Sequence, residues 1–280
     1  MTGSSSPGIS LKSEGVSYMA GCDLPCVIIN VQRGGPGLGG IQPSQADYWQ
    51  ATKAWGHGDF QVLVYAPSTV QEMVNLMMEA FDKADEYRMP ALMLVDGLLG
   101  QMMEPITFPE KDLTEIPEKP WATNGHKHQR EHNIVNSLCL KPDELERQVI
   151  ARFARYDVIK EKEPKAEEYL VDDADIIMVA FGATARTTRS AVDMAREKGM
   201  KVGMIRPITL WPFPEKVLQK AATTAQAFCS VEMSMGQMID DIKLAISCSK
   251  PVHFYGRTGG MVPMPADILE KIEEIARGLK

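Results

Sequence analysis

The run VIINVQRGGPGLGG, residues 27–40, joins an apolar stretch, an arginine and five glycines. Two chemistries compete for it. Gly35-Pro36-Gly37-Leu38-Gly39-Gly40 satisfies G-x-G-x-x-G, the spacing that brings a dinucleotide pyrophosphate to a helix N-terminus. That use needs a helix to open at the glycines and an acidic residue at the end of the next strand. Ile41-Gln42-Pro43-Ser44-Gln45 is a poor helix start, and Asp59 precedes the next apolar run instead of ending it. A P-loop fails as well, because no Gly-Lys-Ser/Thr occurs. The second chemistry belongs to Arg33. A planar guanidinium at the C-terminal end of a strand matches a carboxylate, and Gly34 and Gly35 let backbone approach the ligand. An arginine serving only a surface or interface salt bridge stays equally open from the residues alone. On the ligand reading, Gly35 and Gly37 resist bulky substitution.

Other polar residues carry weaker patterns. His57 and Asp59 in GHGDF sit in a glycine-flanked loop, either at a cleft mouth or in a turn with a local His–Asp contact. Asp47 follows the glycine loop and is a candidate to line the same cleft. Asp96 stands before Gly97 at a strand end, the pattern of an Asx-type turn. FGATARTT, residues 181–188, is a strand-to-helix turn whose N–H groups can meet an anion or plainly cap a helix. GRTGG, residues 256–260, is a glycine loop at a strand end that contacts a partner subunit or only turns the chain. His126 and His128 have no third ligand in the pattern, and the five cysteines show no iron–sulfur or zinc spacing. The thiols read as reduced and mostly packed, and the 18 methionines as core filler.

The elements that must position these residues alternate along the chain. Strands are predicted over 25–31, 61–66 and 90–96, with helices over 9–20 and 69–88, the latter capped by Ser68 or Thr69. Three strands are few for a doubly wound sheet, so the chain either borrows a neighbour's sheet or lacks an N-terminal part. Residues 105–140, with Pro105, Pro109, Pro117 and Pro120, read as a linker or arm, and Pro142 opens a helix over 143–163. Strands over 176–181, 202–205, 227–232 and 252–255 then alternate with helices over 187–198, 215–222, 237–248 and 265–277. The class is α/β: a parallel-sheet domain over 1–118, a linker and helix over 119–169, and a compact α/β domain over 170–280.

Composition narrows the partners. A chain of 280 residues suits about two domains, and 44% apolar residues permit ordinary cores. A net charge of −7 with no Lys/Arg run argues against nucleic acid or an anionic membrane. No apolar stretch reaches the roughly 18 residues of a membrane span, and no signal-peptide pattern opens the chain, so a cytoplasmic protein is expected.

Longer stretches carry a resemblance. SSSPGISLKSEGVSYMAGCDLPCVIINVQRGGPGLGG, GHGDFQVLVYAPSTVQEM and YRMPALMLVDGLLGQMMEP resemble the α-type subunit of thiamine-diphosphate-dependent 2-oxoacid:ferredoxin oxidoreductases. Within that family the likeness is to the branched-chain type, which uses 3-methyl-2-oxobutanoate (2-oxoisovalerate). It runs through nearly the whole chain, and the second domain resembles the transketolase C-terminal domain. The resemblance implies that the first domain is the later part of a pyrimidine-binding domain for thiamine diphosphate, with the diphosphate and Mg²⁺ held by a partner β subunit. It implies that Arg33, in VQRGG, faces the 2-oxoacid carboxylate. It places Ser6 and Pro7, in the loop over 2–8, beside the active site, and His57 and Asp59 near its mouth; Gly34, Gly35 and Asp47, from their position at and after the strand end, are expected to line the same cleft.

The family's activating glutamate lies upstream of the Ser-Ser-Pro-Gly loop, where this sequence begins, and Glu14 on the following helix does not match it. An N-terminally incomplete chain, inactive by itself and without a catalytic residue of its own, is therefore expected. With β- and γ/δ-type partners it would convert a branched-chain 2-oxoacid and coenzyme A to an acyl-CoA. Iron–sulfur clusters on another chain would pass the electrons to ferredoxin. A non-catalytic assembly subunit, or an inactive truncated fragment of such a complex, is the alternative. A nucleotide-binding protein is a third reading, which would need affinity for NAD or ATP.

Overall fold

The computed structural model describes residues 1–108, 110 and 118–279. Its first sheet takes β1 (Thr2–Ser4), β2 (Cys26–Gln32), β3 (Leu63–Tyr65), β4 (Pro90–Asp96) and β8 (Thr209–Trp211), in the order β1-β2-β4-β3-β8. The second takes β5 (Ala166–Tyr169), β6 (Ile176–Val179), β7 (Val202–Pro207), β9 (Ala227–Glu232) and β10 (Val252–Gly256), in the order β10-β9-β6-β7-β5. The helices are α1 (Pro7–Ser10), α2 (Ser13–Gly21), α3 (Tyr48–Lys53), α4 (Val70–Tyr87), α5 (Pro142–Lys162), α6 (Thr184–Glu197), α7 (Glu215–Ala222), α8 (Met238–Ala245) and α9 (Pro265–Gly278).

The apolar run Pro90 to Val95 of β4 and the Asp96 that ends it are all buried, as in a parallel strand covered on both faces. It pairs in parallel with β2 from Cys26↔Pro90 to Gln32↔Asp96, so both strands end level. That register puts Arg33 beside Gly97, whose N–H donates to the Gln32 carbonyl at 2.9 Å. Helix α4 is capped by Thr69, whose hydroxyl accepts from Glu72 N–H at 3.1 Å. The Glu72 carboxylate reaches back to Ser68 N–H at 2.7 Å.

The structure changes the first-domain expectation. The sheet has five strands, not three: β1 pairs in parallel with β2, and β8, from beyond residue 200, pairs antiparallel with β3. The borrowed strand is the chain's own. The single helix expected over 9–20 is broken, because the Ser13 hydroxyl bonds back to the Ser10 carbonyl at 2.8 Å and a turn separates α1 from α2. The antiparallel β5 and the short α3 were not predicted. Described residues over 103–140 form turns and extended chain, as expected of an arm; Pro109 and Pro117 lie outside the described residues. One hydrophobic cluster runs from Ile28 and Leu92 through Tyr156 and Leu210 to Phe228 and Met238, spanning both sheets. Among the described residues no helix is long and apolar enough to cross a membrane.

Candidate functional site

Strand β2 carries Arg33 to the C-terminal edge of the first sheet, where open parallel sheets bind their ligands. A cleft of about 510 Å³ opens there. The alternation of β2 turns Ile29, Val31 and Arg33 to it, and β1 adds Gly3 and Ser4. Ile41 closes one side, and Gly97, Gly100 and Gln101, just past β4, form the other.

The glycine loop folds back onto the arginine side chain. Arg33 Nη1 donates to the carbonyls of Leu38 and Gly40, the latter at 3.0 Å, and Nε donates to Ser5 Oγ at 3.3 Å. Gly34 N–H bonds to the Gln42 carbonyl at 2.8 Å and Gly40 N–H to the Gly34 carbonyl at 2.9 Å, closing the loop at its neck. Among the described residues Arg33 makes no salt bridge, and its Nη2 has no hydrogen-bond partner. No helix opens at the glycines, since α3 starts only at Tyr48.

The glycine expectation needs correcting. Gly37 has φ +66, in keeping with it, but a Cβ on Gly35 would meet nothing within 4 Å. The constrained position is Gly39, with φ +52 and a Cβ that would lie 1.9 Å from the Gly34 carbonyl oxygen. The closure of the loop creates that demand, which the motif spacing does not show.

Of the other expected residues, Ser6 has φ +53 before α1 and donates weakly to the Gly37 carbonyl at 3.4 Å, while Pro7 is the first residue of α1. Their neighbour Ser5 is the one that lines the cleft. Gly34 is buried at the loop neck and Gly35 is exposed. Asp47 lies behind β2: its N–H donates to Gln32 Oε1 at 3.1 Å and its carboxylate accepts from Asn30 Nδ2 at 2.9 Å. Burial pushes the Asp47 carboxyl above the usual carboxylate range, against the opposing pull of the Asn30 hydrogen bond and the Arg33 charge. His57 is exposed in a loop against α2, where its carbonyl accepts from the Ser17 hydroxyl at 2.8 Å, and it is not among the residues lining the cleft. Sequence reasoning missed Gln101 and Ile41. The level ends of β2 and β4 and the period of two through Ile29, Val31 and Arg33 are the signals that point to this wall.

Comparison with known proteins decides the family. The family described as pyruvate flavodoxin/ferredoxin oxidoreductase, thiamine diphosphate-binding, matches residues 1–193, and pyruvate:ferredoxin oxidoreductase core domain II matches residues 174–268. The ketoisovalerate oxidoreductase subunit VorB of Methanothermobacter thermautotrophicus is 50% identical over 99% of this chain and 78% of its own length. This chain belongs to the α-type subunits of 2-oxoacid:ferredoxin oxidoreductases. Another relative of this α-type subunit, the 2-oxoglutarate synthase subunit KorA of Methanothermobacter marburgensis, is 33% identical over 97% of the chain and 79% of its own length.

Two solved structures share the fold. The 2-oxoglutarate:ferredoxin oxidoreductase from Magnetococcus marinus, solved with 2-oxoglutarate, coenzyme A and succinyl-CoA, superposes with a TM-score of 0.79 at 21% identity. The α-type subunit is covered over 98% of its length and spans about half, 52%, of that chain. A split-gene transketolase, an inactive β4 tetramer, superposes with a TM-score of 0.54 at 13% identity, over 97% of this chain and 74% of the other.

The residues present fit one end of the family's cofactor. Ile29 and Val31 offer an apolar floor, and Gly97 and Gly100 a wall without side chains, which suits a flat pyrimidine ring. Among the described residues lining the cleft, Arg33 is the single cation, and two backbone carbonyls already occupy its Nη1.

Proposed function

We propose that this chain serves a cytoplasmic complex that oxidatively decarboxylates a branched-chain 2-oxoacid to an acyl-CoA and passes the electrons to ferredoxin, with Arg33 holding the substrate carboxylate. One observation carries this reading: a guanidinium fixed on one edge by its own loop, with Nη2 left over, at the mouth of a cleft walled by Ile29, Val31 and Ile41. Ile41, outside the floor that would carry the pyrimidine ring, suits an isopropyl group. A dicarboxylate such as 2-oxoglutarate calls for a second cation, and the described lining holds none besides Arg33.

Thiamine diphosphate supplies the nucleophile and electron sink of the decarboxylation. Ile29, Val31, Gly97 and Gly100 would hold its pyrimidine end. The β-type partner would hold the diphosphate and Mg²⁺, and a γ/δ-type partner the iron–sulfur clusters. Arg33 orients the 2-oxoacid through its carboxylate, and Ile41 keeps water from the side-chain end. Coenzyme A enters as co-substrate.

The test is Arg33→Ala in the assembled complex. A charge-assisted hydrogen bond contributes roughly 1.5–3 kcal/mol, which is about a tenfold to hundredfold loss of kcat/KM for 3-methyl-2-oxobutanoate. Thiamine diphosphate affinity should stay within about twofold, because none of that energy is a cofactor contact. An unchanged kcat/KM would make the arginine structural and sink the assignment.

A further inference from the structure

The turn Phe181-Gly182-Ala183-Thr184, between β6 and α6, has the form of an anion-binding helix start, and it does receive a carboxylate. The anion is Asp96, 2% exposed, whose Oδ2 accepts from Ala183 N–H at 2.8 Å while Oδ1 accepts from Leu99 N–H at 3.0 Å. Asp96 ends β4, and the residues after it, Gly97 to Gln101, form one wall of the Arg33 cleft.

The opposite wall reaches the same turn through Gln45, which is 0% exposed. Its Nε2 donates to the Phe181 carbonyl at 2.8 Å, and its Oε1 accepts from Thr184 Oγ1 at 2.8 Å and Met233 N–H at 3.0 Å. Gln45 N–H donates to the Met233 carbonyl at 2.9 Å. Two residues earlier, Pro43 forms a β-bridge with Arg33. Asp96 and Gln45 meet across Gly182, where φ is +59 and a Cβ would lie 2.7 Å from Asp96 Oδ2 and 2.9 Å from Gln45 Nε2. A turn of the second domain thus grips both walls of a cleft to which, among the described lining residues, that domain contributes no side chain.

We propose that the Gly182 turn is a positioning element for 2-oxoacid binding: by holding Gln45 and Asp96 together it sets the distance between the Arg33 loop and the 97–101 wall. The catalytic arm of this inference rests on the Arg33 assignment above; the structural arm does not.

The experiment is hydrogen–deuterium exchange on the full chain carrying Thr184→Val, which removes the hydroxyl donated to Gln45 at nearly constant volume. Gly182→Ala is the stronger second variant. Thr188→Val is the control, since among the described residues Thr188 Oγ1 bonds to the Thr184 carbonyl alone, at 2.9 Å within α6. Segments 33–45 and 97–101 should both exchange at least about fivefold faster in Thr184→Val, the factor that one lost hydrogen bond carries. The control should leave both segments as they are. Faster exchange confined to one wall, or to the second domain alone, overturns the proposal. Should Gly182→Ala not fold, Thr184→Val decides.

In the assembled complex, Thr184→Val should raise KM for the 2-oxoacid about fivefold with kcat at saturation nearly kept. An unchanged KM in a complex that Arg33→Ala does impair overturns the proposal. If Arg33→Ala has no effect, the site assignment falls and the exchange experiment still judges the positioning.

Discussion

Arg33 is organised by carbonyls five and seven residues further along its own strand–loop unit, so the loop's shape and the arginine's aim are one property. Gly39 is where that property is most exposed to mutation. Gly39→Ala would force a Cβ into the Gly34 carbonyl at φ +52, a strain of roughly 1–3 kcal/mol. We expect lower thermal stability and about a tenfold loss in kcat/KM for the 2-oxoacid in the complex. Gly35→Ala meets open space and should change neither. Calorimetry and steady-state kinetics on the pair check this; equal behaviour of the two variants would show that the loop does not hold the arginine. Arg33→Lys belongs beside them and should recover only part of the Arg33→Ala loss, because an ammonium cannot present a planar fork. At this scale the place of Arg33 at the cleft was legible in the sequence, because a cation at a strand end followed by glycines is a local pattern; its hold on a carboxylate is the proposal made above. Gly39, Ser5 and Gln101 were not legible, because their roles arise only when segments distant in sequence close on one another.

Helices and strands follow the same division. Long runs that are unbroken and apolar, such as β4, or that keep a helical period, such as α4 and α5, can be read from the chain to within a residue or two. Strands β1, β5 and β8 have only three or four residues each, too few to show a period, and their extended state is dictated by the strands beside them. The seam between α4 and the end of α5 gives an element-scale prediction. Glu163, buried just past α5, accepts from Lys83 Nζ at 2.9 Å and from the Tyr87 hydroxyl at 2.5 Å. Burial alone would raise its carboxyl, but those two hydrogen bonds and the Lys83 charge outweigh it and hold the group below the usual 4.5. A depressed value means that the stabilisation is complete above the unfolded-state value and is lost as pH falls through the folded one. Glu163→Gln should therefore cost roughly 1–3 kcal/mol near neutral pH, with the gap to wild type closing in acid. Urea unfolding at several pH values measures it, and a gap independent of pH would refute the ion-pair account.

At the scale of the whole molecule, the two sheets share one hydrophobic cluster, and further ties cross between them. Arg206 Nη1 and Nη2 grip Glu72 at 2.9 Å each, the Tyr48 hydroxyl donates to Asp241 at 2.5 Å, and Lys165 Nζ reaches Glu79 at 2.5 Å. We expect a single calorimetric unfolding transition for the purified chain, with van't Hoff and calorimetric enthalpies in agreement. Two resolved transitions would show that the sheets are independent. The division into domains can be read along the sequence; their fusion cannot, because it depends on β8, three residues that leave the second unit and pair with β3 in the first. That strand has a consequence for ancestry. Recombination between related genes near residue 165 would keep each half readable, yet it would hand the first sheet an edge strand evolved against a different neighbour. It would also give Gln45 and Asp96 a turn they had not co-evolved with. Viable chimeras should thus be those whose crossovers carry 27–96 together with 181–211, and the two units should descend as one heritable block, however separable they look along the chain.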